Sequence, residues 1–210
     1  MQSAIERVVS AAPVVPVMVI EKLEHAVPLG RALVAGGLPV LEITLRTACA
    51  LDAIKAIKAE VEGAIVGAGT VNTPADVERA AAAGSEFFVS PGSTPRLIDA
   101  VEASGIPILP GVNSPSEVMA LMERGFKYLK FFPAEAAGGV PMLKSIGGPL
   151  PQVKFCPTGG VNLKNLQSYL SLPNVVCVGG SWMAPVDMMH AGDWAGIEKL
   201  AREARAAAEA

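Results

Sequence analysis

The strongest constraint on the fold is a pattern that recurs along the chain: a helical stretch, a glycine able to end it, and a short β-prone run. The glycines are Gly37, Gly84, Gly105 and Gly125, and the last three are spaced by 21 and then 20 residues. Glycine just past a helix adopts the left-handed cap conformation without steric cost. The pattern therefore predicts alternating helices and strands joined by short loops.

Eight runs of the sequence have the length and composition of short buried strands. They span residues 14–20, 39–45, 64–68, 86–90, 106–109, 127–131, 153–156 and 175–178. Helical segments fall between them, for example at residues 50–61, 74–83, 115–124 and 162–170, and several begin with a Thr, Ser or Asn cap. Eight alternating βα units predict an α/β fold of the (β/α)8 TIM-barrel type.

A chain of 210 residues is long enough to bury a full core in one domain without disulfide or metal staples. We predict a single domain over residues 1–210, with a short N-terminal helix at about 1–11 and a C-terminal helix at about 193–208. The competing architectures are an open doubly wound sheet and a pair of smaller domains. Both are disfavoured, because no G-x-G-x-x-G follows the first strand and no polar linker interrupts the chain.

Charge and hydropathy exclude several classes of partner. A net charge of −3 without a run of Lys or Arg gives no electrostatic footprint for nucleic acid or an anionic membrane. The longest apolar run near the N-terminus, residues 11–20, is short and contains Pro13 and Pro16. It therefore has the character of neither a signal peptide nor a membrane span.

Cysteine and histidine are scarce, which bears on the redox compartment and on metal binding. Cys49, Cys156 and Cys177 are far apart and outside any C-x-x-C spacing. We expect three buried, reduced thiols and a cytoplasmic location. His25 and His190 are most simply surface or helix-packing residues, so we expect no metal site and no cofactor.

The sixth strand run carries a charge where an apolar side chain is expected. Side chains alternate across a strand, so Lys130 shares one face with Phe126, Tyr128 and Phe132. An amine kept from water by aromatic rings is more often uncharged, and an uncharged amine can attack a carbonyl. This is typical of a Schiff-base lysine. The alternative is a lysine whose stem packs on the rings while its ammonium group reaches water.

The second strand run carries an acid and a base on one face. By alternation, Glu42, Thr44 and Arg46 point inward, where a barrel core normally holds Val, Ile or Leu. Burial of Glu42 and Arg46 is unfavourable unless they are paired or hydrogen-bonded. A structural ion pair between these two residues is one interpretation. The favoured interpretation is a functional carboxylate near Lys130.

Glycine-bearing turns follow four of the strand runs, at residues 67–70, 89–92, 156–161 and 177–181. Barrel active sites are built from the C-terminal strand ends and the loops after them. The last two of these loops are where barrels commonly hold a phosphate on backbone N–H groups. We therefore predict a phosphate site there, with ordinary tight turns as the alternative.

Six stretches of the sequence are diagnostic when taken together. They are L-E-I-T-L-R-T (41–47), G-A-G-T-V (67–71), S-P-G (90–92), K-F-F-P-A-E (130–135), P-T-G-G (157–160) and G-G-S-W (179–182). With these motifs the chain resembles the 2-keto-3-deoxy-6-phosphogluconate (KDPG) aldolases, class I aldolases of the Entner–Doudoroff pathway, along nearly its whole length. The resemblance implies a homotrimer that cleaves KDPG reversibly to pyruvate and D-glyceraldehyde 3-phosphate. It also implies overlapping activity on 4-hydroxy-2-oxoglutarate and on the C4-epimeric galactonate substrate.

The resemblance implies roles for individual residues as well. Lys130 forms the imine with the substrate ketone, and Glu42 is the acid/base. The residues implied to bind the pyruvyl half are Arg46, Thr70, Pro91 and Phe132. Those implied to bind the sugar hydroxyls and the phosphate are Thr158, Gly159, Gly160, Gly180 and Ser181.

Three alternatives use the same residues differently. A barrel isomerase or synthase would keep Lys130 as a cation beside the phosphate loops. A binding protein for a phosphorylated sugar acid would show ligand-dependent stabilisation without turnover. A metal-dependent aldolase would lose activity in a chelator.

Overall fold

Helices and parallel strands alternate throughout the protein, as the glycine pattern predicts; the structure is a computed structural model that describes residues 2–209. The strands in that range are β1 (Val14–Met18), β2 (Val40–Thr44), β3 (Ile65–Gly69), β4 (Phe88–Val89), β5 (Ile108–Leu109), β6 (Gly111–Val112), β7 (Tyr128–Phe131), β8 (Lys154–Pro157) and β9 (Val178–Gly180). The helices are α1 (Gln2–Ser10), α2 (Ala26–Ala35), α3 (Ala50–Glu60), α4 (Pro74–Ala82), α5 (Pro95–Ser104), α6 (Pro115–Glu123), α7 (Gly139–Gly147), α8 (Leu166–Leu170), α9 (Val186–Ala191) and α10 (Trp194–Ala208). The first residue of the helix expected at about 1–11 lies outside the described residues.

The strands form two parallel sheets. A six-stranded sheet has the order β5-β4-β3-β2-β1-β9, and a three-stranded sheet has the order β6-β7-β8. Isolated bridges join Phe155 to Val175 and Thr158 to Gly179, between β8 and the β9 region. The architecture is thus an α/β fold with a parallel half-barrel sheet of six strands and a second parallel sheet beside it.

Three predicted segments differ in the structure. The fifth strand run, predicted at 106–109, contains β5, and a further strand, β6, follows it. The two strands are separated at Pro110, because proline has no N–H to donate to a ladder. The strand expected at 175–178 is displaced to Val178–Gly180, since the Val175 N–H donates to the Leu172 carbonyl in the preceding turn. The helix expected at 162–170 begins only at Leu166, after a loop held by asparagine side chains.

Capping residues set several helix boundaries. Thr73 and Ser114 each form a capping box at the start of α4 and α6, with proline at the first helical position. The glycines of the repeat all have positive φ: 87° at Gly37, 90° at Gly84, 71° at Gly105 and 84° at Gly125. These are the conformations expected of glycine just past a helix.

Two hydrophobic clusters lie on opposite faces of the strands. One lies between the strands and the surrounding helices and contains Leu41 and Ile43. The other contains Val40, and Glu42 shares its side of β2 because side chains alternate. The α1 residues that join this second cluster are Ile5, Val8 and Val9. This side of the strands is termed the α1 face.

The two histidines pack together near the start of α2. The His25 ring centroid lies 5.9 Å from that of His190 and 5.7 Å from that of Trp194. The Nε2 atom of His190 is 2.9 Å from the Oε2 atom of Glu21. The histidines therefore connect the loop after β1 to α9 and α10, a helix-packing role.

The expectation of three buried thiols is wrong for Cys49, which is partly exposed because it is the N-cap residue of α3. Cys156 and Cys177 are buried, and the hydrogen bond between their thiols, together with burial, raises the pKa of Cys177. Within residues 2–209, no helix is both long and apolar enough to cross a bilayer. The same range contains no group of three or more His, Cys, Asp or Glu side chains placed to hold a metal ion.

Candidate active site

Lys130 and Glu42 meet on the α1 face, although they are 88 residues apart in sequence. Lys130 lies in β7 and Glu42 in β2, and the two residues are only 5% and 3% exposed. The Lys130 Nζ atom is 3.3 Å from the Glu42 Oε1 atom. The same amine is 5.3 Å from the ring centroid of Phe132. The amine is therefore kept from bulk water beside a carboxylate.

The surroundings of the amine differ from the expected aromatic face. Phe126 precedes β7 and packs in the helix-facing cluster, because the chain is not yet a strand at that residue. Tyr128 begins β7 and packs against the cluster that α1 joins. The Lys130 amine and the Glu42 carboxylate are close enough to exchange a proton.

A glycine on the neighbouring strand makes room for Glu42. A Cβ atom on Gly69 would lie 2.2 Å from the Glu42 Oε1 atom and 2.6 Å from its Cγ atom. Contacts this short do not occur, so a larger residue at position 69 would displace the carboxylate. Gly69 was not among the predicted site residues, because the conflict arises only when β2 and β3 pair.

Arg46 and Thr70 form a pair at the end of β2 and β3. Arg46 is exposed in the turn after β2, so the expectation that it is buried in the barrel interior is wrong. Its Nε atom donates to the Thr70 Oγ1 atom over 3.0 Å, and Glu42 pairs with Lys130 instead. Thr70 has a φ of 59°, a left-handed conformation that β-branched residues rarely adopt. Strain of this kind persists mainly at functional sites.

A cavity of about 190 Å³ opens where the strands end. The predicted site residues that line it are Arg46, Phe132, Thr158, Gly159, Gly160, Gly180 and Ser181. Val17 and Val19, from the first strand and the loop after it, add apolar wall. A larger cavity of about 420 Å³ lies between α7 and the start of β8, and none of the predicted site residues lines it.

Two glycines allow close packing at the floor of this cavity. Thr158 is buried, and a Cβ atom on Gly179 would lie 2.3 Å from its Oγ1 atom. A Cβ atom on Gly180 would lie 1.9 Å from the Trp182 ring. Gly179, like Gly69, was not among the predicted site residues although it lies inside one of the diagnostic motifs. Its role depends on the bridge that brings β9 against Thr158.

The loop after β8 exposes backbone donors to the cavity. Gly159 and Gly160 have φ of 102° and 83°, values that glycine tolerates. The Gly160 carbonyl accepts hydrogen bonds from the side-chain amides of Asn162 and Asn165, at 3.0 and 3.1 Å. Among the turns and loops of residues 2–209, neither glycine N–H donates a backbone hydrogen bond, and both glycines line the cavity. Unpaired N–H groups beside one cavity suit an anion.

Four predicted site residues do not line the cavity: Lys130, Glu42, Thr70 and Pro91. Lys130 and Thr70 each contact a residue that does, Phe132 and Arg46 respectively. Pro91 is exposed, and its backbone packs on Gly111, where a Cβ atom would lie 2.3 Å from the Pro91 carbonyl oxygen. Gly111 is the register partner of Lys130. Pro91 therefore lies one strand away from the lysine. The buried Ser90 hydroxyl accepts a hydrogen bond of 3.4 Å from the Gly111 N–H.

Comparison with known proteins gives consistent relatives. The family described as KDPG and KHG aldolase matches residues 5–200. A 2-dehydro-3-deoxy-phosphogluconate aldolase from Dickeya dadantii is 53% identical over 209 residues, which cover 100% of this chain and 98% of that protein. A KHG/KDPG aldolase from Escherichia coli K12 is 53% identical over 203 residues, which cover 97% of this chain and 95% of that protein.

Among solved structures, a KDPG aldolase from Legionella pneumophila superposes with a TM-score of 0.92 at 50% identity. The match covers 94% of this chain and 96% of that chain. That crystal structure contains pyruvate captured at low pH as a covalent carbinolamine intermediate.

Proposed function

The chain belongs to the KDPG and KHG aldolase family, and we propose from this membership that it is a class I lyase. It cleaves KDPG, also named 2-dehydro-3-deoxy-phosphogluconate, reversibly to pyruvate and D-glyceraldehyde 3-phosphate. The observation that carries the proposal is the buried contact between Lys130 and Glu42. Its relative from E. coli is named for both KHG and KDPG. We extend the proposal to 4-hydroxy-2-oxoglutarate (KHG) on that basis.

Lys130 is the proposed nucleophile. Glu42 takes a proton from the Nζ atom, and the neutral amine adds to the C2 ketone of the substrate to give a carbinolamine. Glu42 returns that proton to the carbinolamine hydroxyl, which leaves as water. The protonated imine that remains can accept an electron pair. The covalently captured pyruvate in the Legionella relative supports this route.

Glu42 is the proposed acid/base of the cleavage step. Its carboxylate, directly or through a water, takes the proton of the C4 hydroxyl while the C3–C4 bond breaks. The bonding electrons move into the imine, which becomes an enamine of pyruvate, and glyceraldehyde 3-phosphate departs. Protonation of the enamine at C3 and hydrolysis of the imine then release pyruvate and restore Lys130.

Arg46 and Thr70 are proposed to hold the carboxylate of the pyruvyl half. The bond between them fixes the guanidinium fork at the edge of the cavity, where a planar carboxylate can accept two N–H bonds. Phe132 lines the cavity and its ring lies beside the amine, so it is proposed to shape the pocket around the pyruvyl half. Pro91 contributes through the backbone that supports Gly111 rather than by lining the cavity.

The other end of the substrate is assigned to the last two loops. Thr158, with its hydroxyl near the cavity floor, is proposed to contact the sugar hydroxyls. This contact would discriminate between substrates that differ in stereochemistry at C4. The phosphate is proposed to lie on the N–H groups of Gly159, Gly160 and Gly180 and on the Ser181 hydroxyl. These donors sit on loops of the last two strands, which is the common position for phosphate in barrels.

We further propose that the two sheets close into a (β/α)8 barrel that spans residues 1–210 as one domain. β5 and β6 are separated only by Pro110, so they can be halves of one strand shared by both sheets. The two bridges between β8 and the β9 region support closure at the other junction. A homotrimer in the cytoplasm, acting in the Entner–Doudoroff pathway, completes the proposal.

Borohydride trapping tests the covalent route directly. The protein is incubated with pyruvate and sodium borohydride, digested, and sequenced by mass spectrometry. We expect a stable adduct on the peptide that contains Lys130, and no adduct when pyruvate is omitted. Turnover without such an adduct would favour a chemistry in which Lys130 acts as a cation.

Sedimentation of the purified protein measures the oligomeric state. A species other than a trimer would contradict the proposed homotrimer.

A further inference from the structure

We propose that Glu135 and Tyr169 form a positioning pair that holds the Gly159–Gly160 loop in its phosphate-binding conformation. The inference rests on the proposed function, because it assigns the loop to the substrate phosphate. Neither residue lines the cavity. Both act through the glycine loop.

Tyr169 reaches Glu135 from the first full turn of α8. Its side chain is fully buried, and its hydroxyl donates to the Glu135 Oε1 atom. Burial and then this hydrogen bond raise the pKa of the Tyr169 phenol. A buried hydroxyl needs a partner, so the contact with Glu135 fixes where that carboxylate lies.

Glu135 touches the glycine loop with both its backbone and its stem. Its N–H donates to the Gly159 carbonyl over 3.1 Å. A Cβ atom on Gly160 would lie 2.5 Å from the Glu135 Cγ atom and 2.8 Å from its Cβ atom. The Cβ and Cγ atoms of Glu135 therefore pack directly against Gly160. The position of these two atoms depends on where the Glu135 carboxylate is held.

Helix α8 holds the same loop at a second point. Its N-cap residue, Asn165, donates to the Gly160 carbonyl, as does Asn162. With the Gly159 carbonyl bound to Glu135, both carbonyls of the loop are taken by protein donors. The geometry leaves the two N–H groups for the ligand, which is the arrangement a phosphate requires.

The charge of Glu135 gives the contact a second consequence. Glu135 is an exposed residue beside a loop assigned to a dianion, so a mobile carboxylate there would repel the phosphate. The Tyr169 hydroxyl ties the carboxylate to α8. Loss of the Tyr169 hydroxyl therefore releases both the aliphatic part of the Glu135 side chain and its carboxylate.

The test compares Tyr169→Phe with Tyr128→Phe. Tyr128 also bonds a glutamate, Glu6 of α1, and burial with that bond raises its pKa to about 12. Each variant loses one tyrosine–glutamate hydrogen bond, but only Tyr169 is near the glycine loop. We expect Tyr169→Phe to raise the KM for KDPG and the inhibition constant of inorganic phosphate by about five- to tenfold, with kcat within about twofold. Tyr128→Phe should leave both constants within about twofold of wild type.

A phosphate-independent readout separates positioning from general damage. The pyruvate concentration that gives half-maximal borohydride inactivation should not rise in Tyr169→Phe, since pyruvate does not reach the loop. Glu135→Ala should reproduce the rise in KM. Glu135→Gln, which keeps an acceptor for the Tyr169 hydroxyl, should have a KM close to that of the wild-type protein. Unchanged KM in both Tyr169→Phe and Glu135→Ala, or an equal loss in pyruvate trapping, would overturn the inference. Absence of trapping in the wild-type protein would instead overturn the proposed function.

Discussion

The α1 face of the strands has two ends of opposite chemistry. At one end Ile5, Val8 and Val9 of α1 pack with strand residues in an apolar cluster. At the other end the same face carries Lys130 and Glu42, almost as deeply buried. Burial of apolar side chains stabilises the fold by about 25 cal/mol per Å². Burial of an ion pair often adds little net stability, because desolvation of the two charges offsets their attraction.

The contrast indicates that the two ends serve different purposes. Neither helix propensity nor strand alternation distinguishes them, since both ends use inward positions of the same strands. Lys130 lies beside Phe132, which lines the cavity, whereas the apolar residues pack against α1. Substitutions at the α1 end should therefore change the free energy of unfolding, and those at the cavity end should change kinetics.

The largest effect is expected for Lys130→Ala. Turnover of KDPG should fall by at least about 10⁴-fold, because loss of the nucleophile removes the covalent route. Stopped assays with high enzyme concentration and borohydride trapping of pyruvate measure both consequences. Activity close to wild type would show that Lys130 is not the nucleophile.

Stability provides a control for this variant. Lys130→Ala should also lower the midpoint of thermal unfolding, because Glu42 is left buried without its partner. The double variant Lys130→Met with Glu42→Gln removes both charges and should regain most of that stability with no regain of turnover. Recovery of activity in the double variant would contradict the assignment of both residues.

Glu42→Gln should have the next largest effect. Removal of a positioned acid/base typically reduces the rate about 10²- to 10⁴-fold. The amide still fits beside Gly69 but cannot accept the Lys130 proton, so the imine with pyruvate should form more slowly, with water as the proton acceptor. Steady-state kcat and borohydride trapping are measured on the same preparation. Complete loss of trapping together with turnover would mean that imine formation itself requires the carboxylate.

Much of this site follows from the sequence because strand alternation is local information. Glu42 and Lys130 stand at odds with their apolar neighbours, and the period of two places each on a defined face. Their meeting follows once the runs are assigned to parallel strands. The glycines that end helices can also be predicted from the sequence, since a left-handed cap conformation depends on one residue.

What the sequence could not provide depends on contacts between strands. The need for glycine at positions 69 and 179 arises from side chains on the adjacent strands. The exposure of Arg46 was missed because β2 ends at Thr44, two residues earlier than alternation suggests. The split of the fifth strand follows instead from the missing N–H of Pro110, and the shift of β9 follows from the turn bond between the Val175 N–H and the Leu172 carbonyl.

At the α1 end, Ile5→Ala should destabilise the protein without altering catalysis. Ile5 is 1% exposed, and truncation of such a residue typically costs about 2–5 kcal/mol through lost burial and a residual cavity. Alanine preserves the helix propensity of α1, so the effect reports packing. Urea unfolding measures the loss, and kcat and KM at 25 °C should stay within about twofold of wild type. A fall in kcat at full folding would break the division between the two ends.

The smallest effect is expected at Thr70, where stability and binding should move in opposite directions. Thr70→Gly relieves a left-handed backbone that costs a β-branched residue about 1–2 kcal/mol, whereas Thr70→Ala keeps the strain. Both variants lose the hydroxyl that accepts the Arg46 N–H, so both should raise the KM for KDPG by a few-fold. Thr70→Gly should nevertheless have a higher free energy of unfolding than Thr70→Ala, by roughly 0.5–1 kcal/mol after the entropy cost of glycine is subtracted. Urea unfolding measures this difference. Equal stability of the two variants would mean that the cavity end holds no backbone strain, and the functional reading of Thr70 would then rest on its hydroxyl alone.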